Sequence, residues 1–210
     1  MIDSENLKIH WNKAYEKEDN QLGWFEESPT QTMNLIAKTN LVKDATILNV
    51  GVGTTTLIET LLDEGYTNLI ANDLSDLALQ KLKERIQNSH NYNLNCIVDD
   101  LINPSELQYL NSVNLWIDRA VLHFFLKDDE QKAYFNLIKK VVAKNGFVLI
   151  AVFSLEGVPK CCGLDLKRYN VDMLQQELGS NFKLIDSFNH TFINPFGGER
   201  PYVYTLFQKQ

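Results

Sequence analysis

The sequence predicts an α/β domain, a doubly wound and largely parallel sheet that ends in an antiparallel hairpin. Three observations carry this reading. Between Ile47 and Phe153, short apolar runs alternate with amphipathic stretches of helical period. The first of those runs ends in Gly51-Val52-Gly53, and an amphipathic helical pattern begins at once. Finally, the two C-terminal strand patterns are joined only by Asn194-Pro195-Phe196-Gly197-Gly198, too short for a crossover, so they must pair antiparallel.

The elements follow in order. Leu7 to Glu18 carries Ile9, Trp11, Ala14 and Tyr15 among charges and reads as a short helix, and Thr30 to Ala37 continues in that style. Ile47 to Val50 is the first strand. The helix after it aligns Leu57, Ile58, Leu61 and Leu62 and stops at Gly65. Asn68 to Ala71 is the second strand, and Ser75 caps a helix with a Leu79, Leu82 and Ile86 stripe. Leu94 to Val98 and Asn114 to Ile117 are the third and fourth strands. Asp128-Asp129-Glu130 opens a helix where the macrodipole favours acids, Tyr134 to Val142 supply its buried face, and Asn145-Gly146 ends it. Phe147 to Phe153 is the fifth strand. Asn170 caps a helix through Leu178, and strands near Phe182 to Phe188 and Tyr202 to Phe207 close the domain.

The 210 residues suffice for one sizeable core, with 44% hydrophobic and 22% charged residues, ordinary for a globular chain. A net charge of −7 opposes sequence-independent nucleic-acid binding, which needs a basic surface to displace counterions. The start, Met1 to Asn6, lacks the basic and apolar regions of a secretion signal, and no apolar run is long enough to span a bilayer. Three cysteines make no disulfide framework, and four scattered histidines make no metal-ligand spacing, so no metal and a cytoplasmic location are expected.

The glycine turn carries the functional argument. Glycines after a strand permit a sharp turn and let a ligand approach the main chain where a Cβ would collide. Asp73 lies twenty residues beyond Gly53, at the end of the next strand, where a carboxylate can accept from a ribose diol. Together they describe a nucleoside-cofactor site.

These residues resemble the class I S-adenosylmethionine-dependent methyltransferases, over the core from about Ala45 to Ser154. Asn49-Val50-Gly51-Val52-Gly53-Thr54 matches the family's first motif, Asn72-Asp73-Leu74-Ser75 its acidic motif, and Val98-Asp99-Asp100-Leu101 the acidic turn after strand three. Leu115 to His123 looks like the segment after strand four in a small-molecule branch that includes thiopurine and thiol methyltransferases. The resemblance implies a three-layer Rossmann-like sandwich with a seven-stranded, mostly parallel sheet. It implies an N-terminal helical lid over 1–42, a cofactor-binding core over 43–155, and a substrate-side loop, short helix and terminal hairpin over 156–210. It implies S-adenosylmethionine as cofactor, S-adenosylhomocysteine as product, and cofactor contacts from Asn49, Gly51, Val52, Gly53, Thr54, Thr55, Asp73, Leu74, Asp100, Leu101 and Asp118. Asp73 would take the ribose hydroxyls, Asp100 the adenine amino group, and Leu74 and Leu101 the apolar walls of the base. Asn49 departs from the carboxylate usual there, losing a charge toward the cofactor's ammonium.

Asp118 and Arg119 end strand four, at the edge where ligands bind in such sheets, and are candidates for the methionine end and the substrate entrance. They could equally form an internal ion pair. His123 suits a general base by its ordinary pKa, although it could also cap or pack. Trp11, Tyr15, Trp24 and Phe25 could close over the site or fix the N-terminal helix to the domain. Cys161 and Cys162 fall on a loop over the same edge and read as ordinary thiols.

The chemistry expected is in-line methyl transfer to a small-molecule acceptor, with no nucleic-acid or membrane partner. Asp118-Arg119-Ala120-Val121 stands where amino-methylating nucleic-acid enzymes carry Asn/Asp-Pro-Pro-aromatic, and a protein lysine acceptor is the alternative. Outside methyl transfer, an NAD(P)-dependent oxidoreductase would want a third glycine near Thr56, where Thr54-Thr55-Thr56 stand. A non-catalytic nucleotide-binding domain is the remaining alternative.

Overall fold

The computed structural model describes residues 4–86 and 93–210. Two helices, α1 (Ser4–Tyr15) and α2 (Thr30–Ala37), precede β1 (Ile47–Val50), α3 (Leu57–Asp63), β2 (Asn68–Asp73), α4 (Asp76–Ile86), β3 (Asn93–Val98) and β4 (Val113–Arg119). There follow α5 (Asp128–Val141), β5 (Val142–Phe153), a small hairpin of β6 (Lys160–Cys161) and β7 (Leu164–Asp165), α6 (Val171–Leu178), β8 (Phe182–Ile193) and β9 (Glu199–Lys209). The main sheet has seven strands in the order β3-β2-β1-β4-β5-β9-β8. The first five are parallel; β9 pairs antiparallel with both β5 and β8. Order reverses between β1 and β4, which opens a crevice at their carboxyl ends.

Period-2 alternation sorts the central strands into two layers. On β5, Val148, Ile150 and Val152 pack with Trp116, Tyr134 and Ile138 on the α5 and α6 side. Phe147, Leu149, Ala151 and Phe153 pack with Leu115, Ile117, Leu57 and Leu61 on the other. Both faces are buried, so these strands read as continuous apolar runs. Each fully buried aliphatic side chain contributes about 1.5–3 kcal/mol.

Caps form where the sequence places them: Ala78 N–H donates to Ser75 Oγ at 3.1 Å, and Met173 N–H to Asn170 Oδ1 at 2.9 Å. Gly65 ends α3 at φ 85°. Several boundaries differ from expectation. α1 ends at Tyr15 rather than Glu18. α5 ends at Val141, because Val142 pairs with Val113 before the chain turns through Asn145 at φ 64°. β8 and β9 extend further than their apolar runs, since Asn189 to Ile193 keep pairing as far as Glu199. The segment after β5 is not a plain loop but the β6–β7 hairpin. The expected absence of a secretion signal over Met1 to Asn6 falls partly outside the described residues.

α1 docks on the start of α4. Asn12 Nδ2 donates to Asp76 Oδ1 at 2.8 Å, Ser75 Oγ donates to Asn12 Oδ1 at 2.6 Å, and Lys8 Nζ lies 3.4 Å from Asp76 Oδ2. Spacing of four then aims Leu7, Trp11 and Tyr15 along one face, over the crevice. Among the described residues no helix is long and apolar enough to cross a membrane.

Candidate active site

After β1 the backbone turns through Gly51 (φ 57°) and Gly53 (φ 53°), a left-handed region that a side chain would strain. A Cβ on Gly51 would lie 2.1 Å from Val121 Cγ2, and one on Gly53 would lie 2.9 Å from Tyr15 Oη. Both glycines are therefore required by the protein's own packing. This corrects the expectation of a ligand running along bare backbone from Gly51 to Gly53. Gly51 lines the crevice, whereas Gly53 lies beneath the Tyr15 hydroxyl.

The crevice is a cavity of about 480 Å³, within the usual range of small-molecule sites. Strand order explains what meets there. Asp100 and Leu101 follow β3, Asp73 and Leu74 end β2, Gly51 follows β1, and Arg119 ends β4. Asp73 is buried. Its Oδ2 accepts from Gly53 N–H at 2.9 Å and its Oδ1 from Ser75 N–H at 2.8 Å, so the acid braces the glycine turn. A carboxylate has about four acceptor positions, so the group can still accept from a ligand hydroxyl. Burial pushes this carboxyl up to about 6, against the pull of the Ser75, Gly53 and Leu74 N–H groups.

The acids after β3 divide their work. Asp99 accepts from the N–H groups of Ser105, Glu106 and Leu107 and from Ser105 Oγ, at 2.8–3.1 Å. Burial pushes it up, but those donors hold it below its ordinary value. Asp100 Oδ1 accepts from Ile102 N–H at 3.0 Å, and Oδ2 from Ser4 Oγ of α1 at 2.6 Å. Asp100 is therefore the acid tied to the lid helix, while Asp99 anchors the turn at Leu107–Tyr109.

Asp118 and Arg119 point to opposite faces of β4. Asp118 is fully buried, does not line the cavity, and accepts from Tyr134 Oη at 2.6 Å and from the N–H groups of Val121 and Leu122 at 2.9 and 3.0 Å. Burial pushes it up to about 6. Its expected cofactor contact is thus corrected: this acid holds the turn at Leu122–Phe124 that shapes the cavity wall. Its register in the sheet puts it on the α5 side, where no sequence signal marked Tyr134 as its partner. Arg119 does line the cavity, and its ion pair is with Glu26, Nε to Oε2 at 3.1 Å, not with Asp118. Nη1 donates to Trp24 O at 3.0 Å, and the guanidinium lies 4.9 Å from the Phe192 ring and 5.4 Å from Tyr202. Burial opposes its charge, but Tyr202, Tyr204 and Glu26 outweigh that and raise its pKa.

His123 is buried between Phe124 and Phe153, at ring separations of 4.6 and 4.9 Å. Burial, then the nearby Arg119, pushes it down to about 3, so it is neutral at pH 7 and too weak a base to take a proton there. It lines the cavity as an aromatic wall with a neutral imidazole edge.

Trp11, Tyr15 and Trp24 line the cavity and also pack together, Trp24 lying 5.7 Å from Trp11 and 5.8 Å from Tyr15. The contacts that pack these aromatics together therefore also wall the cavity. Asn49, Val52, Thr54 and Thr55 do not line it. Asn49 and Val52 are buried in and behind β1, Thr54 is 1% exposed, and Thr55 Oγ1 turns back to Val52 O at 3.3 Å. Phe124, Phe153 and Tyr202 line the cavity without having been singled out, since each reads as ordinary core. Cys161 and Cys162 line it too.

The lining suits an adenosyl sulfonium: a buried acid able to accept from a diol, two leucines and a set of aromatic side chains share the one cavity.

Comparison with known proteins agrees. A methyltransferase-domain family model matches residues 47–146. EEF1A lysine methyltransferase 2 of Mus musculus is 25% identical, over 67% of this chain and 63% of that protein. The Danio rerio protein of that name is 27% identical, over 68% and 66%. The matches thus span just under two thirds of those relatives' length. Among solved structures, an S-adenosylmethionine-dependent methyltransferase from Anabaena variabilis has a TM-score of 0.77 at 11% identity, covering 99% of this chain and 95% of that one. The 1,6-didemethyltoxoflavin-N1-methyltransferase of Burkholderia thailandensis, solved with 1,6-didemethyltoxoflavin and S-adenosylhomocysteine bound, has a TM-score of 0.73 at 16% identity, covering 100% and 91%. At these identities the structural likeness speaks to the fold, and the domain match to the segment it covers. Residues 47–146, just under half of the chain, thus match a methyltransferase domain, on a fold shared with S-adenosylmethionine-dependent methyltransferases.

Proposed function

We propose that this chain transfers a methyl group from S-adenosylmethionine to a small-molecule acceptor, with Asp73 holding the ribose diol and Asp100, Leu74 and Leu101 receiving the adenine. One observation carries the reading: a single cavity joins the acid of β2, the turn after β1 and the aromatic wall after β4. When bound, S-adenosylmethionine supplies a sulfonium methyl that an acceptor nucleophile takes in line, leaving S-adenosylhomocysteine.

The chain's own residues position and desolvate. Asp73 fixes the sugar through charge-assisted hydrogen bonds, each worth about 1.5–3 kcal/mol. Trp11, Trp24 and Phe124 exclude water from the reacting centre. With His123 neutral and Asp118 turned into the core, no acid–base pair faces the cavity from the candidates at β4. That favours an acceptor already nucleophilic at neutral pH, such as a thiolate or an unprotonated amine, as in the small-molecule branch the sequence resembles. A cavity walled by aromatic side chains, with α1 and the β6–β7 hairpin contributing to its lining, suits a small acceptor.

A second reading is a protein lysine acceptor, favoured by the curated relatives that carry that name. A labelled-methyl transfer screen separates the two. Incorporation into thiols or amines with none into denatured or native cell protein supports the first; a labelled protein band that resists acid and base supports the second.

A further inference from the structure

The β6–β7 hairpin brings Cys161 and Cys162 to the cavity wall with their Sγ atoms 3.4 Å apart. Cys161 pairs with Leu164, so Cys162 and Gly163 alone form the turn, at φ 55° and 80°. Positive φ at both positions is the twist-compatible hairpin geometry, which favours Asn or Gly at the first. A cysteine held there is strained, and the strain sits on a ligand-facing loop. Neither thiol has a role in the transfer proposed above. Both cysteines share the cavity lining with Tyr15, the residue that covers Gly53, and with Tyr202.

We propose that Cys161 and Cys162 are a peroxide-sensitive modification site, a disulfide between chain neighbours whose closure reshapes the cavity wall. Adjacent Cα atoms lie about 3.8 Å apart across a trans peptide, short of the roughly 4.4–6.8 Å of relaxed disulfides. Such a bond is strained and therefore easily reduced, the property of a labile rather than a structural disulfide. The two thiols share a hydrogen bond, and that bond with Arg200 nearby favours a thiolate on one of them, with Cys161 shifted below its ordinary value and Cys162 raised. With Cys161 as the attacking thiolate, its sulfur takes one oxygen of hydrogen peroxide, breaking O–O and leaving hydroxide that is protonated to water. The Cys162 sulfur then displaces hydroxide from the Cys161 sulfenic acid, its proton leaving with that hydroxide as a second water. Two thiols and one peroxide give one disulfide and two waters, and the balance is the same with the two sulfurs exchanged. Cys96, on β3, is raised by burial and has no thiol partner among the described residues.

The inference needs the cavity to be the cofactor site only for its second readout. The full chain is treated with hydrogen peroxide, its intact mass and peptide map are read, and S-adenosylhomocysteine is titrated calorimetrically into reduced and oxidised protein. The expected product is a monomer lighter by two hydrogens, with Cys161 joined to Cys162 and affinity lower by about tenfold, restored by dithiothreitol. Cys162→Ser forms no such species, whereas Cys96→Ser behaves as the parent. Oxygen adducts or a Cys96-linked dimer as the main product overturn the proposal, and so does a mapped disulfide with unchanged affinity. Failure of the reduced protein to bind S-adenosylhomocysteine counts instead against the proposed function.

Discussion

Affinity for S-adenosylhomocysteine falls about tenfold between pH 7 and pH 5, through Asp73 alone. Its carboxyl is buried, braced by Gly53 and Ser75 N–H groups, and pushed up to about 6 by desolvation. A carboxyl with that value is about 90% ionised at pH 7 and about 10% at pH 5. The ribose hydroxyls donate, so they need the ionised acceptor, and apparent affinity follows the ionised fraction. Calorimetry across this range reads the slope directly. Asp73→Ala removes at least one charge-assisted bond of about 1.5–3 kcal/mol, a loss of tenfold or more at pH 7, and leaves the pH profile flat. The same shift works the other way on the empty fold. Protonation is favoured in the native state, so the stability contributed by Asp73 and Asp118 is fully present below about pH 4 and lost as pH rises through about 6. An Asp73→Ala variant that keeps the wild-type pH dependence of binding would refute the assignment of the titrating group.

Asp118→Ala strands the Tyr134 hydroxyl and two backbone N–H groups, and costs about 3 kcal/mol or more in urea unfolding; a loss under about 1 kcal/mol contradicts its structural role. Arg119 and Glu26 are 7% and 8% exposed, so removing either charge alone costs about 3–5 kcal/mol. A double-mutant cycle with Arg119→Met and Glu26→Gln then gives a coupling above about 1 kcal/mol, and additive losses would deny the pair. His123 stays neutral from pH 8 down to pH 4, so its imidazole resonances do not titrate near 6.5 in nuclear magnetic resonance spectra.

The topology was legible because each central strand is buried on both faces and each helix leaves one polar face, so the period announces the element. The final hairpin was legible from its turn residues, although not its length: Asn189, His190 and Thr191 pair on β8 without an apolar pattern to reveal it. At the site, Asp73 and Gly51 could be read from spacing, because strand–turn–helix geometry fixes their relation within a few residues. Arg119 could be placed at the cavity, yet its partner could not, since Glu26 arrives from ninety-three positions earlier through a segment with no regular structure. Asp118 was misread for a related reason. One step along a strand turns a side chain to the other face, and only the register with β1 and β5 says which neighbour faces the cavity. Tyr15 over Gly53 was equally hidden, because the docking of α1 depends on contacts with Ser75 and Asp76 far along the chain.

The central claim is that Asp73 grips the sugar of an adenosyl ligand in the crevice at the carboxyl ends of the parallel strands. A crystal structure of the chain with S-adenosylhomocysteine tests it most directly. The account predicts both ribose hydroxyls within hydrogen-bond distance of the Asp73 oxygens and the base between Leu74 and Leu101. A ligand bound elsewhere, or an Asp73 that bonds only to Gly53 and Ser75 in the filled site, would contradict it.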